Sequence, residues 1–245
     1  MKIGAPDVWA CGRIPTLNQR GFTTENPDPL SQRFISFAAK LDGEALDLGC
    51  AYGVAVKRVL QAGGKICACD MDPRHLDILV HSVTPADKAR LRCVAGVLPE
   101  IEFAENAFAA ILCSRVLHFL SGSDIELSVS KMRRWLRPGG KLFLIVDTPY
   151  TGAARERIVP EYERKKALKD PWPGFIPDFD KYLPSESTVR FATSFIHLMD
   201  PDTLRRVCER AGLAVESAGF MARIANRAHA DPQGRDHAIV VAVKI

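Results

Sequence analysis

The stretch Leu46-Asp47-Leu48-Gly49-Cys50-Ala51-Tyr52-Gly53 joins an apolar run to a helical pattern. Its glycines permit a tight turn and a close approach of backbone to a ligand. A second acid, Asp70, ends the next apolar run. An acid about 20 residues beyond such a loop accepts the hydroxyls of a ribose. The loop is a poor pyrophosphate cradle, because it reads GxxxG rather than GxGxxG and carries Asp47 at its mouth. A pyrophosphate there meets a like charge at a cost of about 1–4 kcal/mol, and an ammonium gains by a similar amount. The loop therefore asks for a ribose-bearing ligand with a cationic end. S-adenosylmethionine is the obvious candidate. The plainer alternatives are Asp47 as a helix cap and Asp70 as a solvated strand end; the glycines beside Asp47 favour the ligand.

A second group of residues could act on a substrate. His118 follows the fourth apolar run, on the edge of a parallel sheet where ligands bind. A neutral imidazole there suits a general base that deprotonates a hydroxyl or amine; the alternative is a histidine packing the start of a helix. His197 and His229 are weaker candidates. Residues 148–196 hold Tyr150, Tyr162, Trp172, Phe175, Phe179, Tyr182, Phe191 and Phe195. So many rings in an insertion after the fifth strand predict a substrate lid, with Tyr150 and Trp172 as contacts for a flat or apolar acceptor. Asp147-Thr148-Pro149-Tyr150 has a faint likeness to a base-methylating (Asp/Asn)-Pro-Pro-Tyr motif, but it follows the wrong strand and reads better as a turn. Cys67 and Cys69 sit one residue closer than a usual zinc pair, with no nearby ligand partner, so no metal site is expected.

The elements that must position these groups follow a strand–helix rhythm. Strands are expected at 45–48, 65–69, 91–95, 108–113 and 141–146, and helices at 29–41, 54–62, 73–83, 124–136 and 201–211. The helix over 124–136 should stop at Pro138-Gly139-Gly140. Apolar runs at 213–218 and 239–245 could finish the sheet. Continuous apolar strands separated by helices imply a parallel sheet covered on both faces. Residues 1–28 read as irregular.

The chain has 245 residues, 47% of them hydrophobic and 25% charged. That fits one folded α/β domain and excludes a disordered or collagen-like chain. No window has the length and apolarity of a membrane span, and the first twenty residues lack a signal-like apolar core. The net charge is +4, without a dense basic run, which argues against a nucleic-acid partner. The lid carries eight basic against seven acidic residues, again unlike a phosphate groove. Seven cysteines, most of them within or beside apolar runs, suit free thiols in a reducing cytoplasm. Oligomeric state is not legible.

Five stretches resemble the class I S-adenosylmethionine-dependent methyltransferases in order and spacing. They are Leu46–Gly53, Cys67-Ala68-Cys69-Asp70-Met71-Asp72, Val94-Ala95-Gly96 through Glu105-Asn106-Ala107-Phe108, Val116-Leu117-His118-Phe119-Leu120, and Leu136-Arg137-Pro138-Gly139-Gly140-Lys141-Leu142. The likeness covers roughly residues 45–147, and the C-terminal third more loosely. It implies a Rossmann-like three-layer sandwich with a mostly parallel seven-stranded sheet, order 3-2-1-4-5-7-6, the last strand antiparallel. It implies one domain over 1–245, with an N-terminal cap at 1–42 and an inserted lid at 148–196. By the same resemblance Asp47, Gly49, Cys50 and Gly53 hold the methionine end and Asp70 the ribose. Met71, Val97 and Leu98 border the adenine, and Ser114 lines the methionine pocket. Three positions depart from the pattern. Ala51 replaces a usual glycine, a mild change at negative φ. Val97 replaces an aspartate that meets the adenine amino group, with Glu100 as a substitute. Ala109 replaces an aspartate that opens the fourth strand. The expected activity is methyl transfer to a small-molecule acceptor. The alternatives are a nucleic-acid-modifying methyltransferase and a non-catalytic interaction protein on the same fold.

Overall fold

The computed structural model describes residues 4–9, 12–182, 194–223 and 229–245. Cys11, Phe191, the stretch 183–193 of the expected lid and residues 1–3 of the expected cap lie outside the described residues. Seven strands make the central sheet: β1 (Glu44–Leu48), β2 (Lys65–Asp70), β3 (Leu91–Ala95), β4 (Phe108–Ser114), β5 (Leu136–Asp147), β6 (Ala214–Met221) and β7 (His237–Val243). Their order is 3-2-1-4-5-7-6, as the resemblance implied. β7 lies antiparallel between β5 and β6; the other pairs are parallel.

Among the described residues, six helices of two turns or more accompany the sheet: α1 (Pro29–Ala38), α2 (Val54–Gln61), α3 (Pro73–Ser82), α4 (Gly122–Trp135), α5 (Arg155–Ala167) and α6 (Pro201–Arg210). Three of them start with the same device. Asp28, Asp72 and Asp200 stand as N-caps before a proline, and each carboxylate accepts a backbone N–H of the first turn, from Ser31, Arg74 and Thr203. The cap satisfies an orphan donor, and the proline sits where no N–H is needed.

Successive residues of a strand face opposite sides, which makes three layers. Ala45, Ile66, Ala68 and Leu112 pack under α1, α2 and α3 through Phe34, Val56, Val59 and Leu79. Leu46, Leu48, Ile111 and Leu144 pack under α4 and α6 through Ile125, Val129, Trp135 and Val207. Among the described residues no helix is long and apolar enough to cross a membrane.

The structure differs from the sequence reading in three places. β5 begins at Leu136, so Pro138-Gly139-Gly140 lies inside an extended, bulged strand rather than in a stop. β7 begins at His237, two residues before the apolar run, because ladder pairing continues to Asp147 through the still-buried His237 and Ala238. The N-terminal segment is not wholly irregular: Arg13–Pro15 pairs antiparallel with Phe22–Thr24.

The insertion after β5 is built around its own small core of Ala154, Ile158, Ile176, Phe179, Ile196 and Leu198. It contains α5 and a two-stranded pair, Phe175–Ile176 with Ile196–His197. Trp172 clamps it to the main domain. Its ring meets His197 edge-on at 4.7 Å and lies 5.1 Å from the Arg206 guanidinium. It also fills the space over Gly122, where a Cβ would come within 2.4 Å of the indole. Removing so large a packed side chain costs about 3 kcal/mol. Trp172→Ala is therefore expected to lower the urea midpoint of unfolding by that equivalent. An unchanged midpoint would mean that the insertion is anchored elsewhere.

Candidate active site

The carboxyl ends of the parallel strands open into a cleft of about 1010 Å³. Asp47, Asp70, Gly96, Ser114 and Asp147 line it, each at or next to the end of one parallel strand. The N-terminal segment adds Thr16, Arg20, Phe22 and Asp28, and the insertion adds an apolar wall from Ala153, Ala154, Ile158, Phe179, Ile196 and Leu198.

Asp47 is 4% exposed, and among the described residues it has no hydrogen-bond or ion-pair partner. It does not cap α2, whose N-terminus has no side-chain cap. Burial, and then the nearby Asp70 charge, push its carboxyl up to about 7. A carboxylate taken from water and set beside another acid is stable as an anion only if a cation joins it.

Asp70 sits differently. Its Oδ2 accepts the Ala51 N–H at 2.8 Å, and its Oδ1 accepts the Asp72 N–H at 2.9 Å. The Nδ1 of His75 lies 3.0 Å from the same Oδ1. The Nε2 of His75 accepts the Leu17 N–H at 3.0 Å, so the ring proton belongs on Nδ1 and is donated to Asp70. Two further contacts pin the N-terminal segment: Tyr52 donates to Pro15 O at 2.9 Å, and Arg74 to Leu17 O at 3.2 Å.

The glycine loop divides its work. Gly49 lines the cleft at φ +72°, with Val116 so close that a Cβ would lie 2.3 Å from it. Gly53, also at φ +72°, stays outside the cleft wall, and a Cβ there would meet Leu79 at 2.4 Å. It therefore sets the turn and lets α3 pack close. Ala51 corrects the sequence reading: its φ is +46°, in the left-handed region that costs a side chain about 1–2 kcal/mol. Its bond to Asp70 holds it there.

Cys50, Met71, Val97, Leu98 and Ser114 all line the cleft. Met71 and Val97 are 39% and 42% exposed, a pair of apolar side chains suited to a planar ring. Glu100 is not part of the wall.

His118 lies in the wall at 4% exposure; its Nδ1 is buried without a partner, and burial lowers its pKa to about 4. His237, which sequence reasoning missed, also lines the cleft, with its Nδ1 2.9 Å from Asp147 Oδ1. His229 lines the wall, whereas His197, in the insertion's two-stranded pair, faces Leu120 O and is outside the wall. Tyr150 and Trp172 do not reach the cleft wall. The Tyr150 hydroxyl donates to Glu163 at 2.6 Å, and its ring lies 3.9 Å from the Arg235 guanidinium. Both rings pack within and beneath the insertion, and Phe179 with smaller apolar side chains does the lining. Asp147-Thr148-Pro149-Tyr150 forms a turn in which the Thr148 hydroxyl donates to Arg235 O and accepts the Tyr150 N–H. The six described cysteines are free, and no group of three or more potential metal ligands occurs among the described residues.

Residues 45–140 match a family profile described as a methyltransferase domain. An uncharacterized methyltransferase of Synechocystis is 30% identical over 143 residues, 58% of this chain and 63% of that one. The cypemycin N-terminal methyltransferase of a Streptomyces species is 31% identical over 120 residues, 47% of each chain. The chain thus spans about half to three-fifths of the length of these relatives. In structure, a SAM-dependent methyltransferase from Methanosarcina mazei superposes with a TM-score of 0.65 at 12% identity, over 90% of this chain and 99% of that one.

Two outcomes follow from the loop. Ala51→Gly relieves the left-handed alanine and should stabilise the protein by about 1 kcal/mol in urea unfolding; a loss of stability would place the strain elsewhere. The second concerns Asp47, whose pKa is higher folded than unfolded. Over the window from 3.8 to about 7 the unfolded chain ionises while the folded one stays protonated. Stability is then lost as pH rises, by on the order of 4 kcal/mol in full. Asp47→Asn should accordingly gain more over wild type at pH 7.5 than at pH 4.5. An equal gain at both would mean that the carboxyl is not raised.

Proposed function

We propose that this chain transfers a methyl group from S-adenosylmethionine to a small acceptor with an apolar or aromatic body, in keeping with the match of residues 45–140 to a methyltransferase-domain profile. The observation that carries the reading is the buried, unpaired Asp47 at the mouth of the glycine loop. A cationic ligand relieves that group, whereas a pyrophosphate worsens it. When bound, the cofactor supplies an already activated sulfonium methyl, so the protein's work is to bind, orient and exclude water.

Asp47 would meet the cationic methionine end, with Gly49, Cys50 and Ser114 around it. Asp70 keeps lone-pair capacity beyond its three internal contacts for a ribose hydroxyl. Met71, Val97 and Leu98 would flank the adenine. Phe22, Phe179, Ile158 and Leu198 supply apolar area for the acceptor and displace water from the transfer site. The relative named as an N-terminal methyltransferase supports a nitrogen acceptor.

Calorimetric titration of the stripped protein with S-adenosylmethionine and S-adenosylhomocysteine tests the reading. Binding is expected, and Asp47→Asn should weaken it by about 10–100-fold, the worth of a charge-assisted contact. Affinity should also fall as pH drops below about 7, since the carboxyl must then lose a proton to receive an ammonium. Absence of binding by both ligands would sink the proposal.

A further inference from the structure

The cleft wall holds His75, His118, His229 and His237, and the rings of His75, His118 and His237 differ in how their tautomers are held. We propose that His237, oriented by Asp147, is the base that deprotonates the methyl acceptor. The assignment rests on the methyltransferase reading above. His237 opens β7 and Asp147 closes β5, and the ladder makes them direct cross-strand partners. Their side chains meet at 2.9 Å, from Nδ1 to Oδ1, and both residues line the cleft. The side chain of Asp147 remains 27% exposed, and that of His237 4%.

A hydrogen bond at one ring nitrogen decides the state of the other. The Asp147 carboxylate accepts the Nδ1 proton of His237, which leaves the lone pair on Nε2. No described group hydrogen-bonds that Nε2, and it is not sealed in the core. His118 lacks this arrangement. Its Nδ1 is buried without any partner, so nothing fixes its tautomer. His75 has both ring nitrogens engaged, by Asp70 and Leu17. Only His237, among the described histidines of the cleft wall, pairs an orienting carboxylate with a free nitrogen.

The surroundings suit the role. Arg115, Arg223, His118 and Asp147 are the charged or titratable groups that face the ring. Burial and then Arg115 keep the resting imidazole neutral, and Asp147 steadies the cation once it forms. Burial raises Asp147, but the His237 hydrogen bond and the nearby positive groups outweigh it and keep the carboxyl ionised. In the transfer, the acceptor's lone pair forms the bond to the methyl carbon and the carbon–sulfur bond breaks onto sulfur. The acceptor's N–H or O–H proton passes to Nε2 of His237. The products are the methylated acceptor, a neutral thioether and an imidazolium paired with Asp147, which then releases the proton to water. Asp147 is a positioning residue in this scheme, and His118 is part of the wall.

The test reads the ring directly and does not depend on knowing the acceptor. In protein labelled with ¹⁵N-histidine, His237 is expected at pH 7.5 as an Nδ1–H, unprotonated-Nε2 ring, with His237→Gln used to assign its signals. Asp147→Asn, with Asp147→Ala as a second variant, should release that tautomer and move the proton toward Nε2. Diethyl pyrocarbonate acylates an unprotonated ring nitrogen. Its rate at His237, followed by peptide mass spectrometry, should fall at least about tenfold in the Asp147 variants, as expected when a carboxylate no longer selects the tautomer. An Nε2–H ring in the wild-type protein would overturn the proposal. So would equal acylation with and without the carboxylate. His237→Gln should bind S-adenosylhomocysteine within about twofold of wild type. That measurement separates the two readings, because loss of cofactor binding in the wild-type protein tests Asp47 and leaves the ring result to stand alone.

Discussion

The Asp70 carboxylate is the joint on which the cleft depends. It closes β2, yet it takes the Ala51 N–H from the loop after β1, the Asp72 N–H from the start of α3 and the ring of His75. Through His75 it reaches Leu17 in the N-terminal segment. Directly and through His75, one side chain thus ties its own β2–α3 turn to two stretches that are distant in sequence, the glycine loop and the N-terminal segment. A buried carboxylate is tolerable only when its lone pairs are filled, and here filling them shapes the glycine loop. The same joint explains why Ala51 stays at a positive φ, since its N–H must point at Asp70.

Three aspartates at strand ends face one cleft with three electrostatic fates. Asp70 is satisfied by internal donors. Asp147 has a histidine partner and the charge of Arg223 nearby, and is held in its ionised form. Asp47 has neither and is raised to about 7. The residue type and topological place are the same, so the difference lies in what the neighbouring strand or loop presents. The cleft therefore has a buried, unpaired carboxyl on β1 and an oriented imidazole on β7, and the insertion adds apolar side chains to the same wall.

The large rings of the insertion hold it in place. Trp172 locks it over the start of α4, and Tyr150 is fixed between Glu163 and Arg235. Ala153, Ala154, Ile158 and Leu198 then form a wall with modest side chains. Aromatic residues bury the most area per residue, so anchoring a segment that lacks a large core of its own is a natural use for them. Among the described rings of the insertion, Phe179 lines the cleft while Tyr150 and Trp172 do not.

Much of this protein is written in short-range sequence. The alternation of apolar runs and helices, the Asp-Pro caps, the loop from Asp47 to Gly53 and the partner acid Asp70 all lie within single β–α–β units. Their spacing therefore reports their geometry. The positive φ of Ala51 was not legible, because it depends on a hydrogen bond to a side chain on the next strand. Glu100 could not be judged from its proximity to Val97, since direction and not sequence distance decides what reaches a cleft. His237 was invisible for a stronger reason: it stands 90 positions from Asp147, outside the apolar run that marks its strand. Local pattern determines which elements form and which faces they bury. The antiparallel insertion of β7 between β5 and β6 decides which side chains meet, because register across a sheet is set by long-range pairing that no local spacing records.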